Sequence, residues 1–125
     1  MSNSGPLRMK PRLTKTERQA LEDFKHRLLA EFGDRIILIK LYGSRARGEY
    51  HLHSDVDLLV VVRKKTKRLD EKVLDIECEI SERYGYRDHL APMIMSLAEY
   101  KWEKRRQWPF ILTVEEDGID VFDAQ

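Results

Sequence analysis

Cysteine is almost absent from this chain, since Cys78 is the single cysteine among 125 residues. One thiol cannot form an internal disulfide, and the sequence therefore argues against a secreted disulfide scaffold and a cysteine-based zinc site. The chain also lacks an apolar run long enough to cross a bilayer, and its first residues lack the apolar core of a signal peptide. We therefore expect a cytoplasmic protein with no membrane partner.

Net charge is also nearly absent, because the chain has 23 basic and 22 acidic side chains, which give a formal charge of +1. Any attraction to nucleic acid or to an acidic surface must therefore be local. Hydrophobic residues make up 42% of the chain, which predicts one small globular domain. Residues 1–12 contain two prolines and no periodicity, so we expect a flexible tail there and a single domain over 13–125.

Apolar periodicity predicts the order helix, strand, strand, helix, strand, helix, strand. Thr14 with Glu17, and Ser96 with Glu99, are typical of capping boxes at helix starts. Pro92 lies in the third strand candidate and predicts an edge strand or a bulge. The order is typical of an α/β or α+β fold, with a small mixed β-sheet and helices packed mainly on one face.

Two aspartates, Asp55 and Asp57, open the second predicted strand. Residues i and i+2 of a strand point to the same face, so these carboxylates lie side by side. Two like charges this close repel each other unless a cation neutralises them. Mg²⁺ prefers oxygen ligands and usually binds one or two carboxylates together with substrate phosphates. The pair therefore predicts a magnesium site.

A glycine turn, Gly43–Ser44, ends the first predicted strand. Glycine lets the backbone approach a phosphate, and the Ser44 hydroxyl adds a hydrogen-bond donor. Arg45 and Arg47 can neutralise phosphate oxygens. The chain has no Walker-type loop ending in Lys-Ser or Lys-Thr, which argues against an ordinary ATPase.

Together, residues 42–48 (Tyr-Gly-Ser-Arg-Ala-Arg-Gly) and 54–60 (Ser-Asp-Val-Asp-Leu-Leu-Val) resemble the signature of the minimal nucleotidyltransferases of the DNA polymerase β superfamily. The resemblance covers residues 14–123 and implies transfer of a nucleoside monophosphate, commonly AMP from ATP, to an acceptor with release of pyrophosphate. It implies two Mg²⁺ ions at Asp55 and Asp57, and triphosphate contacts from Gly43 and Ser44. Small members of this family often act as antitoxins to an all-helical HEPN-type protein, and some add AMP to a tyrosine of that partner.

The resemblance also implies a third carboxylate on a later strand, but Ala91 stands at that position. Asp88 comes three residues earlier and falls on the other strand face unless a bulge shifts the register. Glu77 and Glu79, on the preceding predicted helix, are expected to face solvent. General-base catalysis typically contributes ~10²–10⁴-fold, so its loss predicts a slow enzyme or, alternatively, a catalytically weak nucleotide-binding antitoxin module.

Three other features leave alternatives open. His51 and His53 precede the aspartates and are consistent either with a transition-metal site or with an ordinary polar loop. The basic run 63–68 is consistent either with a solvated connector or with RNA contacts, which would make the protein an RNA-end modifying enzyme. The segment 101–108 mixes four basic residues with Trp102 and Trp108, and we expect one tryptophan to belong to the core and the other to anchor a partner.

Overall fold

The computed structural model describes residues 11–49, 55–85 and 90–125 of the chain. Its elements follow the predicted order, and the last helical region consists of two helices that are divided before Pro109. The elements are α1 (Lys15–Phe32), a 3₁₀ turn (Gly33–Arg35), β1 (Ile36–Tyr42), β2 (Val56–Val62), α2 (Lys67–Arg83), β3 (Leu90–Ser96), α3 (Leu97–Arg105), α4 (Pro109–Asp117) and β4 (Ile119–Asp123).

Helix starts confirm the capping residues that the sequence predicts. The Thr14 hydroxyl accepts a hydrogen bond from Glu17 N at 3.0 Å, and the Glu17 carboxylate accepts one from Thr14 N at 2.8 Å. Ser96 caps α3 by accepting from Glu99 N at 3.1 Å. These bonds satisfy backbone donors that a helix start otherwise leaves unpaired.

The strands form one four-stranded sheet in the order β3-β2-β1-β4. β1 runs antiparallel to both β2 and β4, whereas β2 and β3 are parallel. The predicted mixed sheet and α+β class are therefore confirmed, and β3, which contains Pro92, lies at an edge as expected. An edge strand tolerates proline because one side of its backbone has no ladder partner.

Both faces of the sheet are covered by helices. The two long helices α1 and α2 pack on one face, where Phe24, Leu28, Ile76 and Ile80 are fully buried. The short helices α3 and α4 pack on the other face around residues such as Ile111. The sequence predicts helices mainly on one face; the structure places the two long ones there and adds the two short ones opposite.

A polar network fastens the short helices to the sheet. Glu115 of α4 accepts a hydrogen bond from the Tyr100 hydroxyl at 2.5 Å and pairs with Lys104 Nζ of α3 at 2.9 Å and with Lys40 Nζ of β1 at 3.3 Å. Burial alone would raise the pKa of Glu115, but these donors lower it to about 2. Burial and the nearby carboxylate raise the pKa of Tyr100. The network therefore stabilises an ionised Glu115.

Most of the predicted N-terminal tail lies outside the described residues, but Arg12 does not. Arg12 N donates to the carbonyl of Arg45 at 2.8 Å, and Arg45 Nη1 donates to the carbonyl of Arg12 at 3.2 Å. The folded part of the chain therefore includes Arg12, one residue before the predicted boundary. Among the described residues, none of the helices has both the length and the apolar composition needed to cross a bilayer.

Candidate active site

Asp57 lies on β2, an inner strand of the sheet, and has neighbours on both sides. It pairs with Tyr42 of the antiparallel strand β1 and with Ala91 of the parallel strand β3. Asp55 comes immediately before β2 and is exposed. Partial burial and then the charge of Asp55 raise the pKa of Asp57, although the charge of Arg45 opposes them. The two carboxylates are therefore close enough to repel each other.

The glycine turn packs directly against the Asp57 side chain. Gly43 has a φ of +80°, and a Cβ atom added to it would lie 2.6 Å from Asp57 Oδ2. This distance is well inside van der Waals contact, and the positive φ also disfavours any residue with a side chain. Glycine is therefore required here for two independent reasons.

Residues 43–49 form a hydrogen-bonded turn that starts at this glycine. Arg47 N donates to the carbonyl of Gly43 at 3.2 Å, and Glu49 N donates to the carbonyl of Ser44 at 2.9 Å. Successive backbone N–H groups in such a turn can form a concave site for an anion. The structure therefore brings such a turn, with Ser44 in it, next to the Asp55–Asp57 pair.

The donor set at this position fits a hard divalent cation. Carboxylate oxygens are the ligands that Mg²⁺ prefers, and the cation would relieve the repulsion that raises the pKa of Asp57. No group of three or more histidines, cysteines or acids suited to a metal occurs within 11–49, 55–85 and 90–125. Asp55 and Asp57 would therefore hold the ion with help from phosphate oxygens and water, as is usual for Mg²⁺.

Arg45 occupies a different environment from the one that its sequence context suggests. Its side chain is only 5% exposed, and Nη1 donates to Glu17 Oε1 of α1 at 2.5 Å. Burial would raise the pKa of Glu17, but the hydrogen bond from Arg45 and the capping bonds lower it. Arg45 therefore fastens the turn to α1, and its contact with phosphate stays a prediction.

Sequence reasoning missed an aromatic cluster beside the carboxylates. Tyr42 shares the sheet face of Asp57, and burial, with a smaller effect from the Asp57 charge, raises its pKa. Its ring meets Phe110 edge to face with centroids 5.2 Å apart, and Phe110 meets Trp108 at 5.0 Å. Tyr42 and Phe110, the extremes of this cluster, are 68 positions apart in the sequence, and only the fold brings them together.

The position expected for a third carboxylate lies next to Asp57, as the resemblance implies, and it is Ala91. Glu77 and Glu79 belong to α2, which packs on the opposite face of the sheet, so neither reaches this site. Glu79 is exposed, as predicted, whereas Glu77 is half-buried. Asp88, like His51, His53 and Ser54, lies outside the described residues.

The basic run 63–68 does not join the site. It follows the last residue of β2, whereas Asp57 stands near its first, and a seven-residue strand is about 23 Å long. Arg63 Nε donates to the carbonyl of Asp34 at 2.9 Å, and Lys65 pairs with Asp70. Part of the run is therefore engaged within the fold.

Solved structures share this architecture. A structure described as that of a putative minimal nucleotidyltransferase superposes with a TM-score of 0.52 at 24% identity, covering 84% of this chain and 92% of that one. A toxin–antitoxin complex with AMP-PNP contains a chain with a TM-score of 0.51 at 19% identity, covering 83% of this chain and 74% of that one. At such identities these similarities establish the fold alone.

Sequence relatives come from Methanocaldococcus jannaschii. "Putative protein adenylyltransferase MJ1305" is 42% identical over 78 residues, which are 60% of this chain and 52% of the relative, so the match spans about half of that protein's length. "Putative protein adenylyltransferase MJ0604" is 30% identical over 104 residues, which are 82% of this chain and 94% of the relative. A family model described as a nucleotidyltransferase domain matches residues 18–120. The match extends from α1 into β4 and includes both the glycine turn and the paired aspartates, and the chain therefore belongs to the nucleotidyltransferase domain family.

Proposed function

We propose that this protein is a magnesium-dependent adenylyltransferase, which moves AMP from ATP to a hydroxyl group on a partner protein and releases pyrophosphate. The observation that carries the proposal is the approach of Gly43 to Asp57, where a Cβ atom would lie 2.6 Å from the carboxylate oxygen. This approach puts an anion-binding turn and a cation-binding pair of carboxylates side by side. A nucleotide bound as its magnesium complex needs both.

The residues have separate tasks in the reaction. Gly43 and Ser44 bind the β- and γ-phosphates, while Asp55 and Asp57 would hold the magnesium ion. The acceptor oxygen attacks the α-phosphorus, a new P–O bond forms, and the bond from the α-phosphorus to the bridging oxygen of pyrophosphate breaks. Bound magnesium would neutralise the charge that develops on the attacking and leaving oxygens. Ala91 stands beside Asp57 and offers no base there, and with no other base assigned among the described residues, we expect the acceptor proton to leave to solvent water.

The similarities support this choice of donor and acceptor. The relatives named as protein adenylyltransferases support AMP as the group and a protein as the acceptor. The complex with AMP-PNP, which shares the fold, supports an adenine nucleotide and an antitoxin role. The family resemblance described above indicates a small, all-helical HEPN-type protein as the partner.

Transfer of label from ATP tests the proposal. The protein, Mg²⁺ and ATP labelled at the α-phosphate are incubated with a candidate helical partner, and the label on the partner is counted. Asp55→Asn and Asp57→Asn should each lower transfer by on the order of a hundredfold or more, because metal ions supply several kcal/mol of charge stabilisation. Asp75→Asn, an exposed aspartate on α2, is the matched control and should behave as wild type. Wild-type transfer by both site variants would refute the assignment.

The second candidate is an antitoxin module that binds nucleotide and neutralises its helical partner with little turnover, and Ala91 is the observation that favours it. Restoring an acid by Ala91→Asp should raise transfer, by up to ~10²–10⁴-fold if the acid acts as a general base. Ala91→Asn is the control of similar shape without the charge. If Ala91→Asp changes nothing while the wild-type protein neutralises its partner without labelling it, the second candidate is the correct one.

A further inference from the structure

An exposed tryptophan marks a surface that the proposed chemistry does not use. Trp102 of α3 is 56% exposed, whereas Trp108 is half-buried against the core, so the two tryptophans have the separate environments that the sequence left open. Arg105 stacks over the Trp102 ring with its guanidinium carbon 5.9 Å from the ring centroid. Tryptophan and arginine are the residues most enriched at the energetic centres of protein interfaces.

A hollow of about 240 Å³ lies beside this pair. Arg105 also lines the hollow, together with Leu97, Tyr100, Lys101, Lys104 and Gln125. Leu97, Lys101 and Arg105 follow one another at intervals of four residues and therefore share one side of α3. The hollow has an apolar floor and a basic rim, and Arg105 joins it to Trp102.

The charge on this side of α3 is not neutralised by the fold. Lys104 pairs with Glu115 and Arg106 with Glu103, but neither Lys101 nor Arg105 pairs with a carboxylate among the residues that the structure describes. A partner that docks here must therefore supply negative charge.

We propose that Trp102, Lys101, Arg105 and the adjoining hollow form a docking surface for an acidic segment of a partner protein, which inserts one apolar side chain into the hollow. The proposal rests on the partner part of the proposed function and is independent of its chemistry. A second copy of this chain is a poor occupant, because a two-fold contact would set the same basic rim against itself. RNA is a poor occupant because stable binding needs many phosphate contacts, and among the described residues this surface offers two unpaired cations, Lys101 and Arg105.

Nuclear magnetic resonance of the full chain labelled with ¹⁵N tests the proposal, since the indole N–H signals of the two tryptophans report separately. The probe is a short acidic peptide with a single leucine. One control peptide has its acidic residues replaced by amides, another has alanine in place of leucine, and oligouridylate represents RNA. We expect the first peptide alone to move the indole signal of Trp102 and the amide signals of Lys101 and Arg105. The indole signal of Trp108 should stay in place.

Variants sharpen the test. Trp102→Ala and Arg105→Glu should each weaken binding of the acidic peptide about tenfold or more. Leu74→Ala is the matched control, because Leu74 is 51% exposed but lies on α2, on the other face of the sheet, and it should bind as wild type.

Each remaining outcome overturns the proposal. It fails if no signal moves, if the uncharged peptide moves Trp102 equally, or if oligouridylate moves it and the acidic peptide does not. It also fails if the Trp102 signal shifts with protein concentration alone, which would indicate self-association. Peptide binding is measured without nucleotide, whereas wild-type label transfer by Asp55→Asn and Asp57→Asn would refute the chemistry alone, so the two failures are distinguishable.

Discussion

Replacing Gly43 by alanine gives the sharpest test of the active-site geometry. The new Cβ atom would lie 2.6 Å from Asp57 Oδ2, and the backbone would have to keep a φ of +80°. The left-handed conformation costs an L-residue roughly 1–2 kcal/mol, and overpacking typically adds about 1–3 kcal/mol. We therefore expect Gly43→Ala to lower the free energy of unfolding by about 2–5 kcal/mol, or to displace the Asp57 carboxylate, or both.

Gly85 provides a matched control. Its φ is +79°, nearly that of Gly43, but a Cβ atom added there would meet no atom of the described residues within 4 Å. Gly85→Ala therefore carries the backbone strain of about 1–2 kcal/mol without the collision. The difference between the two variants isolates the contact with Asp57.

The assay is urea unfolding with and without magnesium and AMP-PNP. A ligand at a hundred times its dissociation constant stabilises a protein by about 2.7 kcal/mol. Wild type and Gly85→Ala should both gain this increment, whereas Gly43→Ala should gain little because Asp57 is displaced. If Gly43→Ala loses no more stability than Gly85→Ala and gains the full increment, the reasoning about this contact is refuted.

Three further variants test charged groups. Asp57→Asn should raise the urea midpoint at pH 7, because burial and the charge of Asp55 raise the pKa of Asp57 and so disfavour its ionised form in the folded protein; an unchanged or lower midpoint would contradict this. Glu17→Ala should lower the free energy of unfolding by about 3–5 kcal/mol because it breaks a buried ion pair, and joint replacement with Arg45→Met should recover much of this loss. Urea unfolding measures both effects, and simple additivity of the two changes would show that the pair is not coupled. Glu115→Gln should weaken the dependence of stability on pH in the acid range. The pKa of Glu115 is lowered to about 2 from 4.5, so its carboxylate stabilises the fold above about pH 4.5 and loses this effect as the pH falls toward 2. Urea midpoints across that range check the last prediction, and parallel curves for variant and wild type would exclude it.

The secondary structure could be predicted because its signals are local. Thr14 and Ser96 indicate helix starts because each accepts a short-range hydrogen bond. Pro92 restricts its strand to an edge because proline has no backbone N–H to donate. These effects act within a few residues and do not depend on the rest of the fold.

The second layer of helices left a weaker signal in the sequence. Residues 58–62 of β2 are all buried, without the alternation of a strand that has one solvated face. Such continuous burial requires cover on both sides of the sheet. The uninterrupted apolar run was therefore the available sign that α3 and α4 pack opposite α1 and α2.

The candidate site also has one part that local sequence predicts and another that only the fold determines. The juxtaposition of Asp55 and Asp57 follows from strand geometry, and the resemblance named Ala91 at the position beside them. The partner of Arg45 could not be predicted, because Glu17 lies 28 residues earlier and already has a local explanation as part of a capping box. A residue with a sufficient local role gives no sign of a second, distant one.

The two paired aspartates differ in how firmly the backbone holds them. Asp57 belongs to a strand that is laddered on both sides, by β1 and by β3, whereas Asp55 precedes the first ladder pair. One carboxylate is thus held in a strand that is paired on both sides, and the other stands just outside the ladder. In the proposed magnesium site, substitution of Asp55 should therefore change the affinity for the ion without disturbing the sheet.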